Sequence, residues 1–365
     1  MNVGSTFSGV GGFDLGFERA GMSVLWQAEI DEWSRRVLQW HWPDATIYDD
    51  VRSVGLPKSR GKRSGGNIGA EHGNGNGAGG SGIPNSSVQR GSGSGGGEHR
   101  LRAGNGADAE GSGVGNKSGA TSVDLLCGGF PCQDLSVAGK RAGFKGERSS
   151  LFFEFARIAD ELRPRWIVLE NVVGLLSSAE GRDFGILLAT LAEIGYGDIA
   201  WRVVDARYFG VPQRRRRVFI VGCLGDDGER AVRALGAGGE GNLEAGACSW
   251  QSATTKAGRG AASNNHVASF AQNQRGELRE SKIAAQLTAG GGKPGEGYAA
   301  IRNNLSVRRL APVECERLMS WPDGWTAVDG DKTPDGKRYA ACGNGVVANV
   351  SEWIGRRIMA IEDES

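Results

Sequence analysis

Apolar positions along the first fifty residues switch between a period of two and a helical period. Val3 to Phe7 reads as a short strand that runs into the turn SGVGG, and FDLGFERAG then sets Phe13, Phe17 and Ala20 on one helical face, with Gly21 as a stop. MSVLWQAEI is a second strand ending on Glu29, and DEWSRRVLQWHW is a helix that Asp31 can cap and Pro43 ends. A third short strand reaches Tyr48, just ahead of Asp49 and Asp50. The pattern resumes further on. VDLLC is a buried strand, SLFFEFARIADELRP a helix stopped by Pro164, WIVLENV a strand, FGILLATLAEIG a helix closed by glycine, and RRVFIVG a late strand. Such β-α alternation predicts an α/β fold, a mostly parallel sheet with helices on both faces. From about 224 to 304 the pattern dissolves into Gly, Ala, Ser and Asn, which predicts a smaller, loop-rich unit. Helical spacing returns at RRLAPVECERLM and NVSEWIGRRIMAI.

Composition changes this picture in one place. The chain has 365 residues, 39% of them hydrophobic and 23% charged, with 61 glycines. The excess glycine is local: residues 58 to 122 hold 21 of them and no Phe, Trp or Tyr. That stretch has too little apolar surface to offset the entropy of ordering it, and reads as a flexible insertion. Net charge is +1, so charged partners must be sought in local clusters, of which Arg214 to Arg217 is the densest. No apolar run approaches the roughly 18 residues of a membrane span, and MNVGSTFSGVGG has neither the basic nor the apolar part of a leader, so a cytoplasmic protein is expected. Six cysteines (127, 132, 223, 248, 315 and 342) lack CxxC spacing and there are four histidines, so neither a zinc site nor a disulfide framework is expected.

In an open parallel sheet, ligands bind beyond the carboxyl ends of the strands. Here five successive strand ends carry polar features: the FSGVGG turn, Glu29, the Asp49-Asp50 pair, the loop GGFPCQDLSVAGKRAG, and Glu170 in LEN. Gly9, Gly11 and Gly12 let a backbone pass close to a ligand, or merely make a tight strand-to-helix turn. Glu29 lies 20 residues after Gly9, where a carboxylate can accept from both ribose hydroxyls of a nucleoside cofactor, or favour the start of the next helix. Cys127 closes an apolar strand and reads as core. Cys132, past two glycines and a proline, reads as a reactive thiol that needs cationic neighbours to ionise. Glu170 at an apolar strand edge can have a raised pKa suited to giving and taking a proton, or can simply be salt-bridged. If QRRRR starts the strand RRVFIVG, alternation sends Arg215 and Arg217 to one face and Arg214 and Arg216 to the other, one pair towards a pocket and one towards nucleic-acid phosphates.

Taken in order, FSGVGG, GGFPCQDLSVAGKRAG, ENV and PQRRRR closely resemble the C5-cytosine DNA methyltransferases, and RRLAPVECERLMSWPDGW and GNGVVANV resemble the last two motifs of that family. The resemblance implies a Rossmann-like class I methyltransferase sheet over 1–57 and 123–223, the insertion at 58–122, a small irregular target-recognition region at 224–304, and a segment from 305 to 365 that returns to the catalytic domain. It implies S-adenosyl-L-methionine as methyl donor with no metal, and a double-stranded DNA substrate. A monomer is expected, with a cognate restriction endonuclease as a conceivable companion. By resemblance Cys132 is the nucleophile, Glu170 binds and protonates the base, and Arg215 and Arg217 hold the nucleophile loop and the base. Phe7, Gly9, Gly11 and Gly12 form the cofactor turn, Glu29 takes the ribose, Ile30 packs on adenine and Asp50 lies near its amine. Val51, Leu151, Asn344 and Val346 complete the cofactor contacts. One departure is Ser5-Thr6, where many members carry Asp-Leu ahead of the phenylalanine.

The implied chemistry explains the set. Cytosine C5 is a poor nucleophile until Cys132 adds to C6 with Glu170 supporting the proton at N3; the resulting enamine accepts a methyl group, and loss of the C5 proton expels the cysteine. The base must leave the duplex to be reached. Two rivals remain open: the same chemistry on transfer RNA, which relatives of the family perform, and a DNA-binding relative without catalysis.

Overall fold

The computed structural model describes residues 1–55, 122–131, 151–225, 229–236, 268–272, 278–281, 283–284, 286–287, 299–303 and 306–364. The insertion 58–122 lies almost wholly outside these, as does the stretch GGFPCQDLSVAGKRAG from Cys132 onward.

Seven strands make the main sheet: β1 (Asn2–Thr6), β2 (Ser23–Ala28), β3 (Thr46–Tyr48), β4 (Leu125–Gly128), β5 (Trp166–Val172), β6 (Asp198–Asp205) and β7 (Arg216–Cys223), in the order β3-β2-β1-β4-β5-β7-β6. β1 to β5 pair in parallel, whereas β7 runs antiparallel to both β5 and β6. The strand period of two divides the core. Leu125, Cys127, Trp166, Val168, Phe219 and Val221 face one side; Leu126, Ile167, Leu169, Val218 and Ile220 face the other. The first side is covered by α1 (Gly12–Arg19), α2 (Glu32–His41), α5 (Arg230–Ala234), α6 (Pro312–Leu318) and α8 (Ala348–Asp363), the second by α3 (Leu151–Leu162) and α4 (Arg182–Glu193). Helices therefore flank both faces, as the alternation predicts.

Local chemistry sets the boundaries. Asp31 caps α2 by accepting from the Ser34 N–H at 2.9 Å. Helix α8 lies directly on α1: the Ser351 hydroxyl donates to the Gly12 carbonyl at 3.0 Å, and a methyl group on Gly16 would stand 2.5 Å from the Ala348 carbonyl oxygen. The end of the described chain is thus locked onto its beginning.

Three features differ from the sequence expectation. β6 and a further helix, α7 (Asp335–Asn344), have no clear apolar period and were not anticipated. Glu170 stands within β5, two residues before its end. The stretch read as irregular contains order: α5 packs on the main domain, with its Ala231 N–H held by Asp198 at 2.9 Å, and β8 (Ala268–Gln272), β9 (Leu278–Ser281) and β10 (Ala299–Asn303) join β11 (Ser306–Arg309) in an antiparallel sheet of order β11-β10-β8-β9.

Beneath the first turn lies a buried polar cluster. Ser5, at the position where the family pattern has aspartate, donates to Asp14 on α1 at 3.2 Å, and the Gln27 amide donates to the same carboxyl at 2.9 Å. Asp14 is fully buried, and that burial pushes its pKa up to about 6 against the two hydrogen bonds. A raised carboxyl stabilises the fold below its unfolded value of 3.8, and that contribution is lost as pH rises through about 6. Wild-type unfolding free energy should accordingly fall by on the order of 3 kcal/mol from this group between pH 4 and 7, and Asp14→Asn should remove that fall. Urea denaturation of both proteins across this range checks it; parallel profiles would show that Asp14 titrates normally.

Candidate active site

Parallel pairing of β1 to β5 brings their carboxyl ends to one edge of the sheet. The first turn leaves β1 at Phe7, which is half-buried and held in the left-handed region at φ 53°, a conformation that costs a bulky side chain energy and tends to occur at functional sites. Gly9 has φ 56° and no atom within 4 Å of where a side chain would begin, so the turn is open on that side. Gly11 is the residue before α1, and Gly12 meets the returning tail: a methyl group there would lie 2.4 Å from the Val346 carbonyl oxygen. Asn344, the last residue of α7, is exposed beside this contact, and Val346 is buried.

Glu29 follows β2 and ties two strand ends together. One carboxylate oxygen accepts from the Gly9 N–H and the other from the Asp31 N–H, each at 2.8 Å. Both oxygens keep a second lone pair, so the carboxylate is fixed in direction and still able to accept from a diol. Ile30 beside it is 74% exposed, an apolar side chain with no part in the core. A rigid acceptor, an open glycine turn and an uncovered apolar surface suit the ribose and adenine of a nucleoside cofactor. Asp50, after β3, spends its carboxylate locally, on the Arg52 N–H at 2.9 Å and the Arg52 guanidinium at 3.3 Å. Val51 is buried in the core on the α3 side, and Leu151 is half-buried at the start of α3.

A second group of residues gathers where β4, β5 and β7 meet. Because β7 runs against β5, its first residues arrive at the carboxyl end of β5: Arg217 is in register with Val172, and Phe219 with Glu170. The Arg217 Nε donates to Glu170 Oε1 at 3.0 Å, both side chains about 10% exposed. Arg215, 2% exposed, lies on the same side and donates to the Gly343 and Gly345 carbonyls, the shortest bond being 2.7 Å to Gly345. Arg214 and Arg216 are exposed, as strand alternation predicts. Burial pushes the Glu170 carboxyl above its ordinary range, and the Arg217 and Arg215 charges pull it back only in part. Burial, together with the neighbouring Arg217 charge, lowers Arg215 to about 10, still protonated at neutral pH.

Glu170 has its other oxygen, Oε2, against Gly129, 3.4 Å from where a methyl group would sit. The Asn171 side chain donates to the Phe130 carbonyl at 2.9 Å and fixes the chain as it leaves β4. Pro131, the next residue, is the last described one before Cys132. Sequence reading singled out Glu170 but passed over Asn171, whose signal was a polar side chain within an otherwise apolar strand. Cys127 is fully buried, and burial raises its thiol well above the ordinary value, so it is core as expected.

Known proteins resemble this chain in sequence and in fold. The Type II methyltransferase M2.BsuMI of Bacillus subtilis is 27% identical over 373 residues, which span 98% of this chain and 75% of the relative. The Type II methyltransferase M.DsaV of Dactylococcopsis salina is 30% identical over 254 residues, 66% of this chain and 70% of the relative. The crystal structure of a Spodoptera frugiperda DNMT2 mutant shares the fold with a TM-score of 0.59 at 14% identity, covering 98% of this chain and 99% of that one. The model of the C-5 cytosine-specific DNA methylases matches residues 1–58, 108–235 and 240–360, taking in the open turn, the glutamate-arginine pair and the returning tail, and the chain belongs to that family.

Proposed function

We propose that this methyltransferase transfers a methyl group to C5 of a cytosine flipped out of a specific double-stranded DNA site, through a bond between Cys132 and C6. The observation that carries the reading is the buried Glu170–Arg217 pair, set beside Gly129 at the entrance to the cysteine loop. When bound, S-adenosyl-L-methionine supplies an electrophilic methyl group. This chain's residues do the rest. Glu29 orients the ribose, Ile30 covers the adenine, and Phe7, Gly9, Gly11 and Gly12 line the turn, with Asp50, Val51, Leu151, Asn344 and Val346 around them. Glu170 holds a proton at N3 while Cys132 adds to C6, which makes C5 nucleophilic. Arg217 fixes the Glu170 carboxyl, and Arg215 ties the same strand to the tail through Gly343 and Gly345. After transfer, loss of the C5 proton to water, with the N3 proton returned to Glu170, restores the ring and releases the thiolate.

The 224–304 region is proposed as the unit that reads the target, and exposed Arg214 and Arg216 as phosphate contacts. Among the described residues no helix is long and apolar enough to cross a membrane. A cytoplasmic monomer with a cognate restriction endonuclease as companion completes the reading. Labelled methyl transfer to duplex DNA and to transfer RNA, side by side, tests the substrate: label is expected in DNA as 5-methylcytosine, and label in RNA alone would overturn the proposal.

A further inference from the structure

Gln213, the residue just before the four arginines, is fully buried and has hydrogen bonds to two other parts of the chain. Its amide Nε2 donates to the Leu318 carbonyl at 2.8 Å, with the Met319 sulfur at 3.5 Å, both at the end of α6. Its Oε1 accepts from the Leu287 N–H at 3.3 Å. The backbone on either side is paired as well: Ala284 donates to the Pro212 carbonyl at 2.8 Å, and Arg214 donates to the Ala284 carbonyl at 3.1 Å. Ala284 and Leu287 are themselves buried in the main core, and they lie between β9 and β10 of the smaller sheet. One side chain thus joins three segments: the root of the smaller sheet, the end of α6, and the segment that carries Arg215 into β7 and Arg217.

An apolar side chain of similar length would fill this space, so the polar group is not needed for packing. A buried amide using both donor and acceptor fixes one register between the segments it joins, because any slip leaves it unsatisfied. We infer that Gln213 is a positioning residue that sets the register of the target-reading unit against the arginine strand, so that engagement of the correct DNA site aligns Arg217 and, through it, Glu170. This rests on the proposal that residues 224–304 read the target.

The test compares wild type with Gln213→Met, which keeps the length but neither hydrogen bond, using sequencing of methylated plasmid DNA after exposure to purified protein, steady-state kinetics and calorimetric binding of S-adenosyl-L-methionine. In Gln213→Met the preference for the target over sites changed by one base should narrow by about tenfold or more, with kcat on the target falling by a similar factor. Cofactor affinity should stay within about twofold, since Gln213 touches none of the cofactor residues. A merely structural role would lower cofactor binding and all methylation together and leave the preference intact; that outcome, or an unchanged preference at any rate, overturns the inference. Should the methionine variant fail to fold, Gln213→Asn, which keeps the amide but is too short to reach both partners, gives the same decision on the same readout. Wild-type methylation with no shared flanking sequence would instead sink the target-reading proposal, and is visible before any variant is made.

Discussion

Cys132→Ser loses methyl transfer to DNA by at least about 10⁴-fold, the scale on which enzymes lose a covalent nucleophile. The physical reason is ionisation. A thiol becomes a thiolate near neutral pH when cationic groups stand close to it, and the largely buried side chains of Arg215 and Arg217 act on Glu170, which lies against Gly129, three residues before Cys132 in the chain. A serine hydroxyl in the same surroundings stays protonated and cannot add to C6. Cofactor and DNA affinity should survive the change, because one atom is exchanged in a loop. A duplex with fluorine at cytosine C5, incubated with S-adenosyl-L-methionine, separates chemistry from binding: after methyl transfer fluorine cannot leave as the proton does, so wild type should stay bonded to the DNA through denaturation and the serine variant should not. Equal labelling by the two proteins, or a bonded complex with serine, would remove Cys132 from the mechanism.

Glu170→Gln should lower kcat by about 10² to 10³, within the range set by losing a positioned acid. Glutamine preserves the shape and can still donate towards N3, but it cannot carry the proton, and it leaves the buried Arg217 guanidinium without its counter-charge. Burial outweighs the two arginines in setting the Glu170 pKa, so the carboxyl ionises above the ordinary range. The rate should therefore fall on the alkaline side as that proton is lost, with its limb above the usual carboxylate region, and the limb should vanish in the glutamine variant. By the same sign, the contribution of this group to stability is present at low pH and lost as pH rises through its folded value. Single-turnover rates between pH 5 and 9 would show the lowered rate and the missing limb; a variant within about threefold of wild type would contradict the assignment of the acid.

Much of this arrangement was legible from residue pattern alone. The helical period of α2 is strong because Trp33, Val37 and Leu38 bury a single face, and the alternation in QRRRRVFIV correctly separated Arg215 and Arg217 from Arg214 and Arg216. β6 was missed because it lies at the sheet edge, where its burial follows no simple alternation. Helix α7 was missed because DGKRYAACGN has few apolar residues to show a period. The reversal of β7 could not be read either, since a strand's direction leaves no mark on its own sequence. That reversal matters most for the site, because a parallel β7 would have carried its arginines to the far edge of the sheet, away from Glu170. Gln213 and Asn171 were hidden for a related reason: their partners lie 105 and 41 residues away and are backbone atoms, which carry no signature.

The docking of α8 onto α1 bears on how the enzyme comes into being. The turn at Gly12 is closed by Val346 and the α1 surface by Ser351 and Ala348, so this strand-to-helix turn takes its final shape only after those residues have left the ribosome. A nascent chain of some 340 residues would already carry Glu170 and all four arginines and would still lack the residues that close this turn. Chains truncated before Val346 would leave the Gly12 turn and the α1 surface uncovered, so the first strand-to-helix unit depends for its completion on residues more than 300 positions later.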